Sequence, residues 1–183
     1  MRRRTVVLIA LLALGGLSCG SSGAKPEEPK AGNGEAKKAT ASVMGPDGST
    51  IEGIVTFVQE GDEVRVIADL KGAPPGTHGI HLHENGDCGG EGFANAGSHF
   101  NPDDAPHACP PTEPRHAGDF GNIEIKEDGT GQIEVKTRAL TIDAGPNTVV
   151  GKAVILHSQA DDCASQPTGD AGGRLACGVV HAD

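Results

Sequence analysis

From residue 40 onward, apolar and polar residues alternate along the chain with a period of two. The segment 63–70 is typical, because Val64, Val66, Ala68 and Leu70 fall on one face while the intervening positions are mostly charged. Such alternation predicts a half-buried strand of an antiparallel sheet. The segment 51–58 shows the same alternation, and Gln-Glu-Gly-Asp at 59–62 predicts a turn between the two strands.

Four more segments continue this organisation and extend it to the C-terminus. They lie around 123–125, 133–135, 149–156 and 175–181, and the third is denser in apolar residues, which predicts a more buried strand. No segment of useful length has helical periodicity. Short strands separated by Gly-rich turns predict an all-β sandwich or barrel. Because Trp and Tyr are absent and Phe occurs four times, Val, Ile, Leu and Ala are expected to fill its core.

The first 39 residues have a different character. Residues 1–19 combine a cationic start with an apolar run at 6–14 and end at Cys19. A run this short favours a secretory signal over a membrane anchor, which needs about 20 apolar residues. The segment resembles a bacterial lipoprotein signal, in which the cysteine becomes the lipidated first residue. Residues 20–39 are polar and without periodicity, which predicts a solvated tether before a folded domain at 40–183.

The net charge of the chain limits the kinds of molecule that it is expected to bind. The formal net charge of −10 argues against binding to nucleic acid and against binding to anionic lipid head groups.

The segment 78–119 holds six of the eight histidines and is otherwise rich in Gly, Pro, Asn and Asp. Long loops without regular structure are costly to order and are usually functional or disordered. Metal binding is one way to order the segment 78–119, since imidazole is a suitable ligand for zinc, copper, iron and nickel.

The start of this segment reads as a strand. His81 and His83 project to one face of it, while Ile80 and Leu82 project to the other. Alone, this pair is equally consistent with incidental histidines. The complete group indicates a metal centre, because it adds further histidines and a carboxylate in a loop that has little else to order it: His99, His107, His116, Asp119 and, further along the chain, His157.

Five motifs resemble those of copper/zinc superoxide dismutases in their bacterial envelope form. They are His-Gly-Ile-His-Leu-His-Glu-Asn-Gly-Asp-Cys at 78–88, Gly-Ser-His-Phe-Asn-Pro at 97–102, Arg-His-Ala-Gly-Asp-Phe-Gly-Asn at 115–122, Leu-His at 156–157 with Asp-Asp at 161–162, and Gly-Gly-Arg-Leu-Ala-Cys-Gly at 172–178. The resemblance covers essentially all of 40–183. It implies a Greek-key, immunoglobulin-like β-sandwich or barrel with two long functional loops.

The resemblance also implies two metal ions and their ligands. Copper falls on His81, His83, His99 and His157, and zinc falls on His99, His107, His116 and Asp119, with His99 as the bridge. Four nitrogen ligands suit Cu(II), and three nitrogens with a carboxylate suit a closed structural zinc site. Asp161 corresponds to a carboxylate that accepts hydrogen bonds from ligand imidazoles on both metals.

The implied activity is dismutation of superoxide to oxygen and hydrogen peroxide by a redox-cycling copper ion, an antioxidant function in the periplasm. His99 is implied to exchange a proton for copper during the cycle. Arg174 matches an arginine that attracts the anionic substrate. Two other functions stay open: an envelope protein that binds copper and zinc without turnover, and a sandwich used for adhesion. The sequence is compatible with a monomer or a homodimer.

The chain has five cysteines, so lipidation of Cys19 would leave four that can pair. Cys88 and Cys177 match the disulfide of the family. We expect Cys109 and Cys163 to form a second bridge between the two loops that wall the site, with two free thiols as the alternative. The remaining histidines are His78, expected to be a hydrogen-bonded structural residue, and His181, to which no role is assigned.

Overall fold

A computed structural model describes residues 36–183 of the chain, so the predicted signal segment, Cys19 and most of the predicted tether lie outside the described residues. Within that range it contains eight strands: β1 Lys38–Met44, β2 Glu52–Glu60, β3 Glu63–Lys71, β4 Gly76–His83, β5 Asp119–Ile125, β6 Gly131–Thr137, β7 Ala153–His157 and β8 Arg174–Ala182. One short 3-10 helix, Glu91–Ala96, lies between β4 and β5. The prediction of an all-β fold is confirmed.

The strands form one closed antiparallel barrel. Their order is β1-β2-β3-β6-β5-β4-β7-β8, and β8 closes the barrel by pairing with β1. The connections from β3 to β4 and from β6 to β7 therefore cross between strands that are not neighbours. Because the barrel is closed, none of its strands is an unpaired edge strand. A two-sheet sandwich would have edge strands that need protection from pairing with other chains.

The barrel interior is packed with small and medium aliphatic side chains, as the composition predicts. Phe57 is completely buried and lies 6.2 Å from Phe120, ring centroid to ring centroid. Ile80 and Leu82 of β4 belong to the same core. Because side chains alternate along a strand, the opposite face of β4 carries His81 and His83, which are equally buried. Two loops cover that face: residues 84–118, which join β4 to β5, and residues 158–173, which join β7 to β8.

No helix within residues 36–183 is long and apolar enough to cross a bilayer.

Candidate metal centre

Seven buried side chains meet beneath the two loops and form two overlapping groups. We call the first the histidine set: His81, His83, His99 and His157. We call the second the mixed set: His99, His107, His116 and Asp119. In each set one potential ligand atom per residue lies within 4.8 Å of the others. The structure therefore brings together every residue that the sequence assigned to a metal, and it places His99 in both sets.

Strand pairing positions most of the histidine set. β4 pairs with β7 in antiparallel register, with His81 opposite Ile155 and His83 opposite Ala153, so the strand that carries His157 lies directly beside the strand that carries His81 and His83. His99 reaches them because the chain returns to β4 after the 3-10 helix. The Phe100 amide donates to the Leu82 carbonyl at 2.8 Å.

Hydrogen bonds fix which nitrogen of each imidazole in the histidine set is free. The His83 Nδ1–H donates to the Gly97 carbonyl at 2.9 Å, which leaves Nε2 as the free nitrogen. That atom lies 3.4 Å from His157 Nε2. His81 Nε2–H donates to Asp161 Oδ2 at 2.7 Å, which leaves Nδ1 free. The free nitrogens therefore direct their lone pairs toward one another, and this arrangement favours binding of a shared cation.

Three buried nitrogens have no hydrogen-bond partner among the described residues: His81 Nδ1, His99 Nε2 and His107 Nδ1. Leaving a buried polar atom unpaired is costly, so each requires an explanation. His107 Nδ1 does lie 3.1 Å from Asp119 Oδ2, but without the angle of a hydrogen bond. Metal coordination accounts for all three atoms, since imidazole lone pairs are the ligands of both copper and zinc.

The mixed set is organised around the carboxylate of Asp119 at the first position of β5. Its Oδ1 lies 2.9 Å from His99 Nδ1 and 3.2 Å from His116 Nδ1. Its Oδ2 accepts backbone N–H groups from Ala108 and His116. Burial opposes ionisation of Asp119, but the hydrogen bonds from His116 and His99 outweigh it and lower the pKa of this carboxyl group. The residue is therefore a carboxylate at neutral pH.

His99 links the two sets through its two ring nitrogens. Nδ1 faces Asp119 in the mixed set, whereas Nε2 is the unpaired atom on the side of the histidine set. The His99 and His81 rings are only 4.0 Å apart, centroid to centroid. One imidazole therefore offers a ligand atom to each of two neighbouring positions.

Asp161 also spans the two sets, from the loop that follows β7. Its Oδ2 accepts from His81 at 2.7 Å, and its Oδ1 accepts from His107 Nε2 at 3.0 Å. Burial opposes ionisation, but these two hydrogen bonds hold its pKa at about 2. This is the arrangement expected of a carboxylate that fixes the tautomers of metal ligands.

Three imidazoles of the histidine set, those of His83, His99 and His157, are neutral at physiological pH. Burial lowers the pKa of His83 to about 2, that of His157 to about 3 and that of His99 to about 4. The positive charge of Arg174 contributes to the lowering at His83 and His157. Neutral imidazole is the form that binds metal, so protons compete weakly here.

Arg174, the first residue of β8, is half-buried beside the histidine set. It pairs with His157 across the strands, and its guanidinium donates to the carbonyl oxygens of Phe93 at 2.7 Å and Gly97 at 2.6 Å. Gly97 therefore accepts from both Arg174 and His83. Gly97 has φ of 76°, and a Cβ there would lie 2.5 Å from a Glu84 carboxylate oxygen, so only glycine fits.

Two disulfides brace the loops that cover the site. Cys88 is joined to Cys177 of β8, and Cys109 is joined to Cys163. The first lies at the start of the loop that carries Phe93 and Gly97. The second joins the loop that carries His107 to the loop that carries Asp161.

Sequence reasoning missed two amide side chains that hold the backbone of the site. The Asn122 side chain donates to the Asp161 carbonyl at 2.9 Å and accepts from the Asp161 amide at 2.7 Å. Gln166 makes the same pair of hydrogen bonds with the backbone of His107, at 2.8 and 2.7 Å. Asn122 lies within one of the five motifs, but nothing in the sequence marks Gln166, because only the fold brings it next to His107.

The two remaining histidines contribute no ligand atom to either set. Both ring nitrogens of His78 lie 2.9 Å from carbonyl oxygens, those of His157 and Pro74. This agrees with the expected structural role. His181 is exposed on β8.

Comparison with known proteins agrees with this geometry. The family model described as "Copper/zinc superoxide dismutase (SODC)" matches residues 51–180. The chain is 38% identical over 154 residues to an extracellular Cu-Zn superoxide dismutase of Brugia pahangi, covering 79% of this chain and 76% of that protein. It also resembles the crystal structure of the clock protein EA4, with a TM-score of 0.71 and 38% identity over 80% of this chain and 94% of the other. The chain belongs to the copper/zinc superoxide dismutase family, whose members are enzymes that use copper and zinc as cofactors.

Proposed function

We propose that the histidine set binds copper, that the mixed set binds zinc, and that His99 bridges the two metals during dismutation of superoxide. The ligand atoms follow from the hydrogen bonds. Copper would be held by Nδ1 of His81 and by Nε2 of His83, His99 and His157. Zinc would be held by Nδ1 of His99, His107 and His116 and by Asp119.

The unpaired nitrogens carry this proposal. His99 Nε2 is buried, has no partner among the described residues, and lies on the opposite side of its ring from Asp119. An imidazole with one nitrogen in each of two ligand sets is what a bridge requires. The set with four nitrogens suits copper, and the set with three nitrogens and a carboxylate suits a closed zinc site.

Bound copper supplies a one-electron couple that oxidises one superoxide to oxygen and reduces a second to the level of peroxide. The chain supplies proton handling and substrate binding. His99 Nε2 can hold a proton whenever it is not a ligand, while Asp119 and His116 keep its Nδ1 side in place. A proton held on Nε2 would lie on the side of the ring that faces the histidine set.

Arg174 is the candidate substrate-binding residue. Its guanidinium is held by the Phe93 and Gly97 carbonyls and remains partly exposed beside His83 and His157. Those two interactions satisfy some of its five donors and leave others for an anion. A fixed positive charge next to a recessed centre attracts superoxide although the chain as a whole carries a formal charge of −10.

The test is replacement of His99 by Ala, followed by reloading with both metals and measurement of superoxide decay. We expect a loss of roughly 100-fold or more, because a bridge and a proton carrier disappear together. His181→Ala is the matched control, since His181 is an exposed histidine that belongs to neither set. Undiminished turnover in the His99→Ala variant would exclude the bridging role.

We further propose that the enzyme is exported and held on the periplasmic side of the cell envelope by a lipid on Cys19. The two disulfides support an oxidising compartment. The Brugia pahangi relative is named as an extracellular protein. The signal segment, Cys19 and nearly all of the tether at 20–39 lie outside the described residues. Intact mass of the mature protein tests the anchor, and a chain that begins elsewhere or carries no acyl mass would rule it out.

A further inference from the structure

The Cys109–Cys163 disulfide lies next to the contact between the mixed set and Asp161. Cys109 follows His107 by two residues, and Cys163 follows Asp161 by two residues. The bond therefore joins the same two loop segments that the His107–Asp161 hydrogen bond joins, and the two cysteines are 54 positions apart in the sequence. Cys109 is 9% exposed whereas Cys163 is exposed, so the link runs from the interior of one loop to the surface of the other.

The backbone of Cys163 takes part in the same network. Its N–H donates to Asp161 Oδ1 at 2.7 Å, and this is the oxygen that accepts from His107 Nε2. Cys163 has φ of 62°, a left-handed conformation that is uncommon for residues other than glycine. A covalent link to Cys109 helps to hold the residue in that conformation and so to aim its N–H at the carboxylate.

The loop at 158–173 also packs tightly against the hydrogen bond between His107 and Asp161. Gly169 has φ of 67°, and a Cβ there would overlap Asp161 Oδ1 and His107 Nε2. Gln166, from the same loop, holds the backbone of His107 through both halves of its amide. The loop at 158–173 thus contacts His107 at its backbone and its ring, and the disulfide is the one covalent link between the two loops among the described residues.

We infer that the Cys109–Cys163 disulfide is a positioning element for zinc: it keeps His107 and Asp161 Oδ1 in the geometry that zinc binding needs, and it influences copper less, because His81 is held by the other oxygen, Oδ2. The inference rests on the proposed assignment of zinc to the mixed set. The histidine set depends less on this link, because three of its four members lie on β4 and β7, which the barrel holds together.

Replacing both cysteines by Ser in the full chain tests the inference. Ser is preferred to chemical reduction, because free thiols of Cys109 and Cys163 together with Asp161 would themselves form a group able to bind zinc. Zinc affinity is measured by competition with a chromogenic chelator, and copper affinity is measured in the same way. We expect zinc to bind about 10- to 100-fold more weakly, as is usual when groups that orient metal ligands are lost, and copper affinity to change less than threefold.

Two controls separate the possible outcomes. His107→Ala removes a proposed zinc ligand, so unchanged zinc affinity in that variant would overturn the zinc assignment itself. Cys88→Ser/Cys177→Ser removes the other disulfide, which joins the loop at 84–118 to β8 and not to the loop that carries Asp161, and is expected to leave zinc affinity within threefold.

If His107→Ala loses zinc but the Cys109→Ser/Cys163→Ser variant binds it normally, the positioning role of the disulfide is wrong. Equal losses of zinc and copper affinity would also overturn it, because the bond would then be a general tether. Cys109→Ala/Cys163→Ala provides a second version of the same break should the Ser variant fail to fold.

Discussion

The two ligand sets share His99 but are held by different parts of the molecule. In the histidine set, His81 and His83 lie on β4 and His157 lies at the end of β7, so neighbouring strands position three of four members. In the mixed set, only Asp119 lies on a strand, and His107 and His116 lie in the loop between β4 and β5. One set is thus a property of the barrel, and the other is a property of a folded loop.

The difference shows how a loop rich in glycine and proline can carry a metal site. A strand fixes its side chains through a continuous ladder of backbone pairs, whereas this loop relies on scattered backbone hydrogen bonds, side-chain interactions and two disulfides. Asp119 accepts backbone N–H groups from Ala108 and His116, and Gln166 holds the backbone of His107. Each interaction replaces part of the conformational restriction that a ladder of hydrogen bonds would provide.

The largest effects are expected from removing one ligand unique to each set. His83→Ala should remove copper and reduce superoxide turnover roughly 1,000-fold, since metal-ion catalysis supplies several kcal/mol. His107→Ala should remove zinc and lower turnover only about tenfold, because the ligands carried by the barrel remain in place. Metal content and superoxide decay are measured on the same preparations.

The comparison also predicts where order is lost. Loss of zinc in His107→Ala should raise amide hydrogen exchange in the loop at 98–118, while β4 and β7 stay protected. His83→Ala should leave that loop protected. Exchange that rises equally in the loop and in the barrel strands would show that the two regions do not differ in the way described.

A smaller effect, shared by both sets, is expected from Asp161→Asn. The amide keeps the shape of the side chain but replaces one accepting oxygen with a donor, so either His81 or His107 loses its hydrogen bond. We expect copper or zinc affinity, or both, to fall by about 10- to 100-fold. Competition with metal chelators measures each affinity. Asp162→Asn is the control, since Asp162 is exposed and its carboxylate bonds only within its own turn. Unaltered affinities in Asp161→Asn would exclude its bridging role.

Much of the barrel could be predicted from the sequence, because strand alternation is a local signal. The segments 51–58 and 63–70 correspond closely to β2 and β3. The apolar segment 149–156 was less accurate, since the strand begins only at Ala153 and the preceding residues form a turn. Val149 is nevertheless completely buried, so apolar content there reported burial rather than strand conformation.

The ligand residues were accessible from motifs, but their hydrogen-bonding support was not. Gln166 lies 59 residues from His107, and no periodicity connects the two. The shared acceptor at Gly97 was equally hidden, because a carbonyl oxygen leaves no trace in the sequence. Cys109 and Cys163 were the pair that remained once the resemblance assigned Cys88 to Cys177, yet their place beside the contact of His107 with Asp161 follows only from the folded loops.

The smallest effect is expected from Arg174, which belongs to neither set. Arg174→Ala should lower the rate with superoxide by about tenfold at low ionic strength, because a single nearby charge is lost while the ligands remain. The rate of the unaltered enzyme should fall as salt is added, and that of the variant should change less. Stopped-flow measurement of superoxide decay over a range of ionic strength gives both values.

Arg174→Lys distinguishes charge from geometry. Lys keeps the positive charge but cannot reproduce the planar pair of donors that binds the Phe93 and Gly97 carbonyls. If attraction of the anion is the main role, Lys should restore most of the rate and the salt dependence. If Arg174 acts mainly by holding Gly97, and through it His83, then Lys should behave like Ala, and copper affinity should fall in both variants. The second result would move Arg174 from substrate binding to support of the histidine set, acting through the Gly97 carbonyl that His83 also contacts.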